Sequence, residues 1–97
     1  MIIYEITAKV RPDLCEKYEV YMRETHIPDL LKTSTFTGAS ISKAEPGIFR
    51  ISYEAPSRNE LDRYLKEYAP ALRKDAEEQF PEGVELSRAE WTVLEKW

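Results

Sequence analysis

The sequence predicts an α+β domain in which a four-stranded antiparallel sheet carries two helices on one face. Three observations lead there. Residues Ile2 to Val10 alternate apolar and polar side chains, the period-two pattern of a strand with one buried face. Two other stretches space apolar residues three and four apart, as on a helix with one buried stripe. Between those stretches, Glu45-Pro46-Gly47 reads as a tight turn joining two strand-like runs into a hairpin.

In the first strand, Tyr4, Ile6, Ala8 and Val10 share one face and Glu5, Thr7 and Lys9 the other. Arg11-Pro12-Asp13 stops it, and Asp13 is placed to cap a helix beginning at Leu14. Leu14, Tyr18, Met22 and His26 recur every four residues, so one stripe carries His26 toward the sheet. Pro28 lacks a backbone donor, and its ring would press on the carbonyl of Glu24, so a kink or break is expected there. A short further turn over Asp29 to Lys32 and a connector over Thr33 to Thr35 follow.

Phe36 to Ala44 reads as the second strand, with Ala39 and Ile41 on one face. Ile48 to Glu54 is the third: Phe49, Ile51 and Tyr53 share one face, Arg50, Ser52 and Glu54 the other. Ser57-Arg58-Asn59-Glu60 fits the capping box that opens a helix. That helix carries the stripe Leu61, Tyr64, Leu65, Tyr68, Leu72 and Ala76. It repeats the local design of the first, a ring two residues before a proline: Tyr68-Ala69-Pro70 beside His26-Ile27-Pro28. Gln79 to Gly83 is a loop. The last strand begins near Val84 or Ser87, with Ala89, Trp91 and Val93 read as one face and Arg88, Glu90 and Thr92 as the other. The order βαββαβ, with right-handed crossovers, is the ferredoxin-like plan. The open face of the sheet is then expected to hold Glu5, Thr7, Ser40, Arg50, Ser52, Arg88 and Glu90. A second copy could dock there around a two-fold axis, pairing those charges.

A chain of 97 residues suits one domain, spanning residues 1–97. Apolar residues make up 42% and charged residues 33%, a balance that fits a folded soluble domain. The net charge of -4 argues against nucleic acid or an anionic membrane as partner, because both select clustered Lys and Arg. No apolar run approaches the roughly 20 residues of a membrane span. Glu5 interrupts the apolar start, and no basic segment precedes it, so no signal peptide is read. The lone cysteine, Cys15, cannot form an internal disulfide, and a cytoplasmic location is expected.

Tyr4-Glu5-Ile6-Thr7, Glu24 to Leu31, Phe36-Thr37-Gly38-Ala39, Tyr68-Ala69-Pro70 with Leu72-Arg73, Phe80-Pro81 and Trp91 together resemble a family of small proteins catalogued as domain of unknown function 4286. That family lies within the dimeric α/β-barrel group, and the resemblance covers nearly the whole chain. The group packs two ferredoxin-like protomers sheet against sheet. It includes cofactor-independent monooxygenases, haem-degrading enzymes, isomerases and proteins of no known activity. The resemblance implies a homodimer through the open sheet face and a pocket between helices and sheet. It transfers no reaction, because a fold does not fix a function.

His26 is the only histidine and the first candidate for chemistry near neutral pH. In one reading it is a general base or ligand-orienting group in an inner pocket, with Tyr18, Tyr64 or Tyr68 binding the ligand. In the other it is a helix-end histidine bonded to a carbonyl freed by Pro28. Tyrosine is abundant, six in the chain, either to meet a flat ligand or to fill a small core with its hydroxyl at the rim. Cys15 lies eleven residues before His26, about three helical turns away, and is read as structural. One histidine and one cysteine do not make a usual zinc site, and the three separated glycines make no phosphate loop. No metal or cofactor is assigned. Haem would need one axial ligand, which His26 could supply, and a Soret band on adding haem would reveal it.

Two functions remain open. One is a non-catalytic homodimer binding a small molecule between helices and sheet. The other is a cofactor-independent monooxygenase or isomerase with His26 as general base. A closed core beside His26 favours the first, and a cavity lined by His26, Tyr18 and Tyr68 the second.

Overall fold

The central strand β1 (Ile2–Val10) pairs on one side with β3 (Ile48–Ala55) and on the other with β4 (Val84–Thr92). Strand β2 (Gly38–Ala44) pairs with β3, giving the antiparallel order β2-β3-β1-β4. This is the ferredoxin-like sheet expected from the sequence. The computed structural model describes residues 1–97.

Residues directly opposite one another in an antiparallel ladder share a face. Tyr4 opposes Tyr53, Ile6 opposes Ile51 and Ala8 opposes Phe49, and all six are core types under the helices. On the other side Tyr4 opposes Glu90, Ile6 opposes Arg88 and Ala8 opposes Leu86. Arg88 and Glu90 therefore lie on the helix-facing side, not on the open face where the sequence placed them. Ala89 and Trp91 take the open face, opposite Glu5 and Ile3. The phase of β4 is set at its start, where Val84 and Leu86 point inward, and a period-two ladder carries that phase to Arg88 and Glu90. Glu90 pairs within the chain with Arg58 at 2.6 Å. Glu5 and Arg50 do lie on the open face, as an ion pair at 3.7 Å.

Three further expectations change. Asp13 caps no helix: its carboxylate holds the Arg11 guanidinium at 2.6 Å, and Pro12–Leu14 forms a 3-10 turn. Helix α1 (Cys15–Tyr21) follows. Pro28 does not break the helical run either. The chain widens into a π-helical turn at Met22–His26 and continues as α2 (Ile27–Leu31). The Ile27 N–H donates to the Met22 carbonyl, five residues back. Pro28 then falls in the first turn of α2, where its missing donor is tolerated. Strand β2 starts at Gly38 rather than Phe36. Phe36 precedes it and drops into the core after Thr33 and Thr35, whose hydroxyls lie 2.7 Å apart, have closed the helix end.

Helix α3 (Arg58–Glu67) opens with the Ser57 half of the expected capping box, its hydroxyl accepting the Glu60 N–H at 3.3 Å, while the Glu60 carboxylate turns to Arg63 instead of reaching back. It ends at Tyr68, and α4 (Ala69–Gln79) begins anew with Pro70 in its first turn, where a missing donor is harmless. One proline thus follows a π turn and the other divides a helix. Tyr4, Phe36, Tyr53 and Tyr64 form an aromatic cluster with ring centroids 4.8–6.3 Å apart.

Candidate functional site

A cavity of about 640 Å³ opens between the helices and the β1–β4 side of the sheet. Its floor is Tyr4 and Ile6 of β1, Tyr53 of β3, and Val84, Leu86 and Arg88 of β4. The first helical run contributes Tyr18, Met22, His26 and Leu30, the four-residue stripe read from the sequence continued to Leu30. Tyr64 comes from α3, and Arg73, Ala76 and Glu77 from α4. Phe80 and Pro81 close the end below α4. The wall is mostly aromatic and aliphatic with a few polar groups, the usual make-up of a small-molecule site.

The structure brings His26, Tyr18 and Tyr64 together on this wall and leaves Tyr68 off it. The break between α3 and α4 turns Tyr68 aside, and its ring lies under the Arg63 guanidinium at 5.9 Å. Tyr4 and Tyr53 take the place that Tyr68 was expected to fill. Sequence reasoning also passed over Arg73 and Arg88. Arg88 was assigned to the wrong face. The inward parity of Val84 and Leu86 was the signal that would have found it.

His26 is half-buried, its ring 5.8 Å from that of Tyr21. Burial lowers its pKa from the ordinary histidine value, and the Arg88 charge pushes the same way, while the Asp29 and Asp75 carboxylates pull upward. Burial is the larger influence, so the imidazole is neutral at pH 7 and one ring nitrogen has a free lone pair. The forces acting on it are burial and charge, with no hydrogen bond to a carbonyl freed by Pro28.

Burial pushes the Tyr18 hydroxyl up to about 12, and those of Tyr53 and Tyr64 also well above the usual phenol range. All three are protonated donors at neutral pH. The Tyr4 hydroxyl accepts a hydrogen bond from Arg73 at 2.9 Å. Tyr53 is fully buried and its hydroxyl has no hydrogen-bond partner. Cys15 is far from this chemistry, its thiol leaning on the carbonyls of Val10 and Arg11 at 3.6 Å. No group of three or more His, Cys, Asp and Glu side chains is arranged to hold a metal ion. No helix is long and apolar enough to cross a membrane.

A βαββαβ sheet with helices over one face and an aromatic cavity beneath them defines a ferredoxin-like α+β protein. The chain belongs to the family described as Domain of unknown function (DUF4286), which matches residues 1–95. Curated protein sequences give no match. Among solved structures, the chain is similar to a dimeric ferredoxin-like protein from an uncultured marine organism, with 14% identity, TM-score 0.73, and coverage of 100% of this chain and 98% of that one. It is also similar to a provisionally assigned antibiotic biosynthesis monooxygenase from Deinococcus radiodurans, with 16% identity, TM-score 0.71, and coverage of 100% and 96%. A third is an ethyl tert-butyl ether d (ethd) family protein from Bacillus halodurans, with 15% identity, TM-score 0.69, and coverage of 95% and 100%. At these identities the likeness concerns the fold alone.

Proposed function

We propose that this protein binds a small, flat, partly apolar molecule between its helices and sheet, and that it does so as a homodimer. The observation that carries the binding reading is the cavity beside His26. Its volume of about 640 Å³ falls within the roughly 300–1,000 Å³ of small-molecule sites. Tilted aromatic rings supply much of the apolar wall, and a few polar groups fix orientation. The dimer reading is supported by the open sheet face, where Trp91 is 56% exposed beside Ile3. A similar structure described as dimeric agrees with it. The single thiol suits a reducing cytoplasm.

His26 is the only imidazole, so its ring protons give one unambiguous set of NMR signals. Adding pooled metabolites to the protein should move those signals with at least one pool. Signals that ignore every pool would remove the binding reading.

A second reading keeps the same cavity and makes it catalytic: a cofactor-independent monooxygenase or isomerase in which His26 takes a proton from the substrate. Its support is the neutral, half-buried imidazole on the cavity wall, the protonation state a general base needs. A similar structure assigned as a monooxygenase agrees with it. Dioxygen uptake or isomerisation with flat phenolic or enolic compounds, lost in His26→Ala while binding persists, separates catalysis from binding alone.

A further inference from the structure

We infer that the molecule held in this cavity is an organic anion, whose carboxylate or ionised enol oxygen is seated at Arg73 and Arg88. The inference rests on the binding reading above and goes beyond it by assigning the chemical class of the ligand.

Two guanidinium groups face the cavity, and neither belongs to any of the chain's ion pairs. Both also line a shallow recess that adjoins the cavity and shares Tyr4 with it, so they stand where the two spaces meet. Arg73 is half-buried and held in place by its bond to the Tyr4 hydroxyl at 2.9 Å. Arg88 is more exposed, yet its charge is felt by Tyr18, His26 and Tyr64, from three different elements of the wall. Among the charged groups on the wall, Glu77 is the single carboxylate against two arginines. His26 adds no charge at neutral pH, so one positive charge is in excess. Glu90 borders the adjoining recess and is held away from the two arginines in an ion pair with Arg58 at 2.6 Å, a guanidinium that also holds Asp62 at 3.0 Å.

Guanidinium groups match carboxylate oxygens by charge and by their planar fork of donors. Aromatic walls and two guanidinium groups at the margin describe a flat apolar body with an oxygen anion at one end.

The test compares 2-naphthoate with 2-naphthamide, probes that share a ring system and differ in charge. Affinities are read by calorimetry, and placement in the cavity by the His26 ring signals. The expectation is that both probes move His26, with naphthoate binding about tenfold more tightly or better. In Arg73→Gln and Arg88→Gln, naphthoate should fall to the naphthamide level while naphthamide binding persists, which also shows that each variant is folded. Equal affinities for the two probes in the wild type, or arginine variants that leave naphthoate unaffected, would overturn the anion assignment and leave the cavity reading standing. If neither probe moves His26, the cavity reading fails, and the anion assignment with it.

Discussion

The rings of Tyr21 and His26 lie 5.8 Å apart, centroid to centroid, and are tilted by 32°, although five residues separate them. In a regular α-helix residues five apart point in directions about 140° different, and their rings do not meet. The π turn over Met22–His26 brings them onto one side. The chain then passes Pro28 without breaking. The turn that precedes the proline therefore also sets the imidazole, on the cavity wall, against an aromatic neighbour just outside it.

Burial at this position makes protonation of His26 unfavourable. Its folded pKa lies below its unfolded value of about 6.5, so between the two the unfolded chain binds more protons. Stability from this group is complete above pH 6.5 and is lost as the pH falls toward the folded pKa. Thermal melts at pH 7.5 and pH 5.5 should show a larger drop in Tm for the wild type than for His26→Gln. The NMR titration midpoint of His26 should lie below 6.5. Equal drops in the two proteins would contradict this account.

Tyr53→Phe removes a buried hydroxyl that makes no hydrogen bond. An unsatisfied buried group is a penalty, so urea unfolding should show stability unchanged or raised, by up to about 1 kcal/mol. Tyr4→Phe is the contrast. It takes away the acceptor of the Arg73 bond and should lower stability by about 1 kcal/mol. A Tyr53→Phe variant as destabilised as Tyr4→Phe would mean that the Tyr53 hydroxyl has a partner in solution.

Ser57→Ala removes the oxygen that receives the Glu60 N–H at the start of α3. Replacement at such a cap typically costs about 1 kcal/mol. The Glu60 carboxylate gives no second cap, since it pairs with Arg63 at 2.8 Å. Denaturant midpoints should fall accordingly, and Ser57→Asp should restore most of the loss.

Trp91→Glu places a charge on the open sheet face, near the end of the edge strand β4, on a side chain 56% exposed in the single protomer. Sedimentation equilibrium should give twice the chain mass of 11.4 kDa for the wild type and the single mass for the variant. A wild type that sediments at 11.4 kDa at tens of micromolar would remove the homodimer reading.

Sequence patterns foretold the parts of the fold where residue type and environment agree. β1 and β3 alternate cleanly because one face packs under helices and the other does not. Ser57 marks a helix start because its hydroxyl has one local task. β4 misled for the opposite reason. Its outward residues Ala89 and Trp91 are apolar and its inward residues Arg88 and Glu90 are charged, so hydropathy inverts the true phase. At the site, His26, Tyr18 and Tyr64 were legible from helical spacing. Tyr68 was not excluded, since a single stripe drawn across Pro70 hides the break at Tyr68. Tyr53 read as core, which it is, and nothing local shows that its hydroxyl would be left without a partner.

The cavity takes its floor from β1 and β4, the first and last strands of the chain, and its roof from both helical runs. No fragment can build it, and an occupant recognises only the finished molecule. Occupancy and folding are therefore linked equilibria. A ligand present at 100 times its dissociation constant adds about 2.7 kcal/mol to the folded state, a large addition for a domain of this size. Under the binding reading, the amount of intact protein in a cell would follow the supply of the ligand.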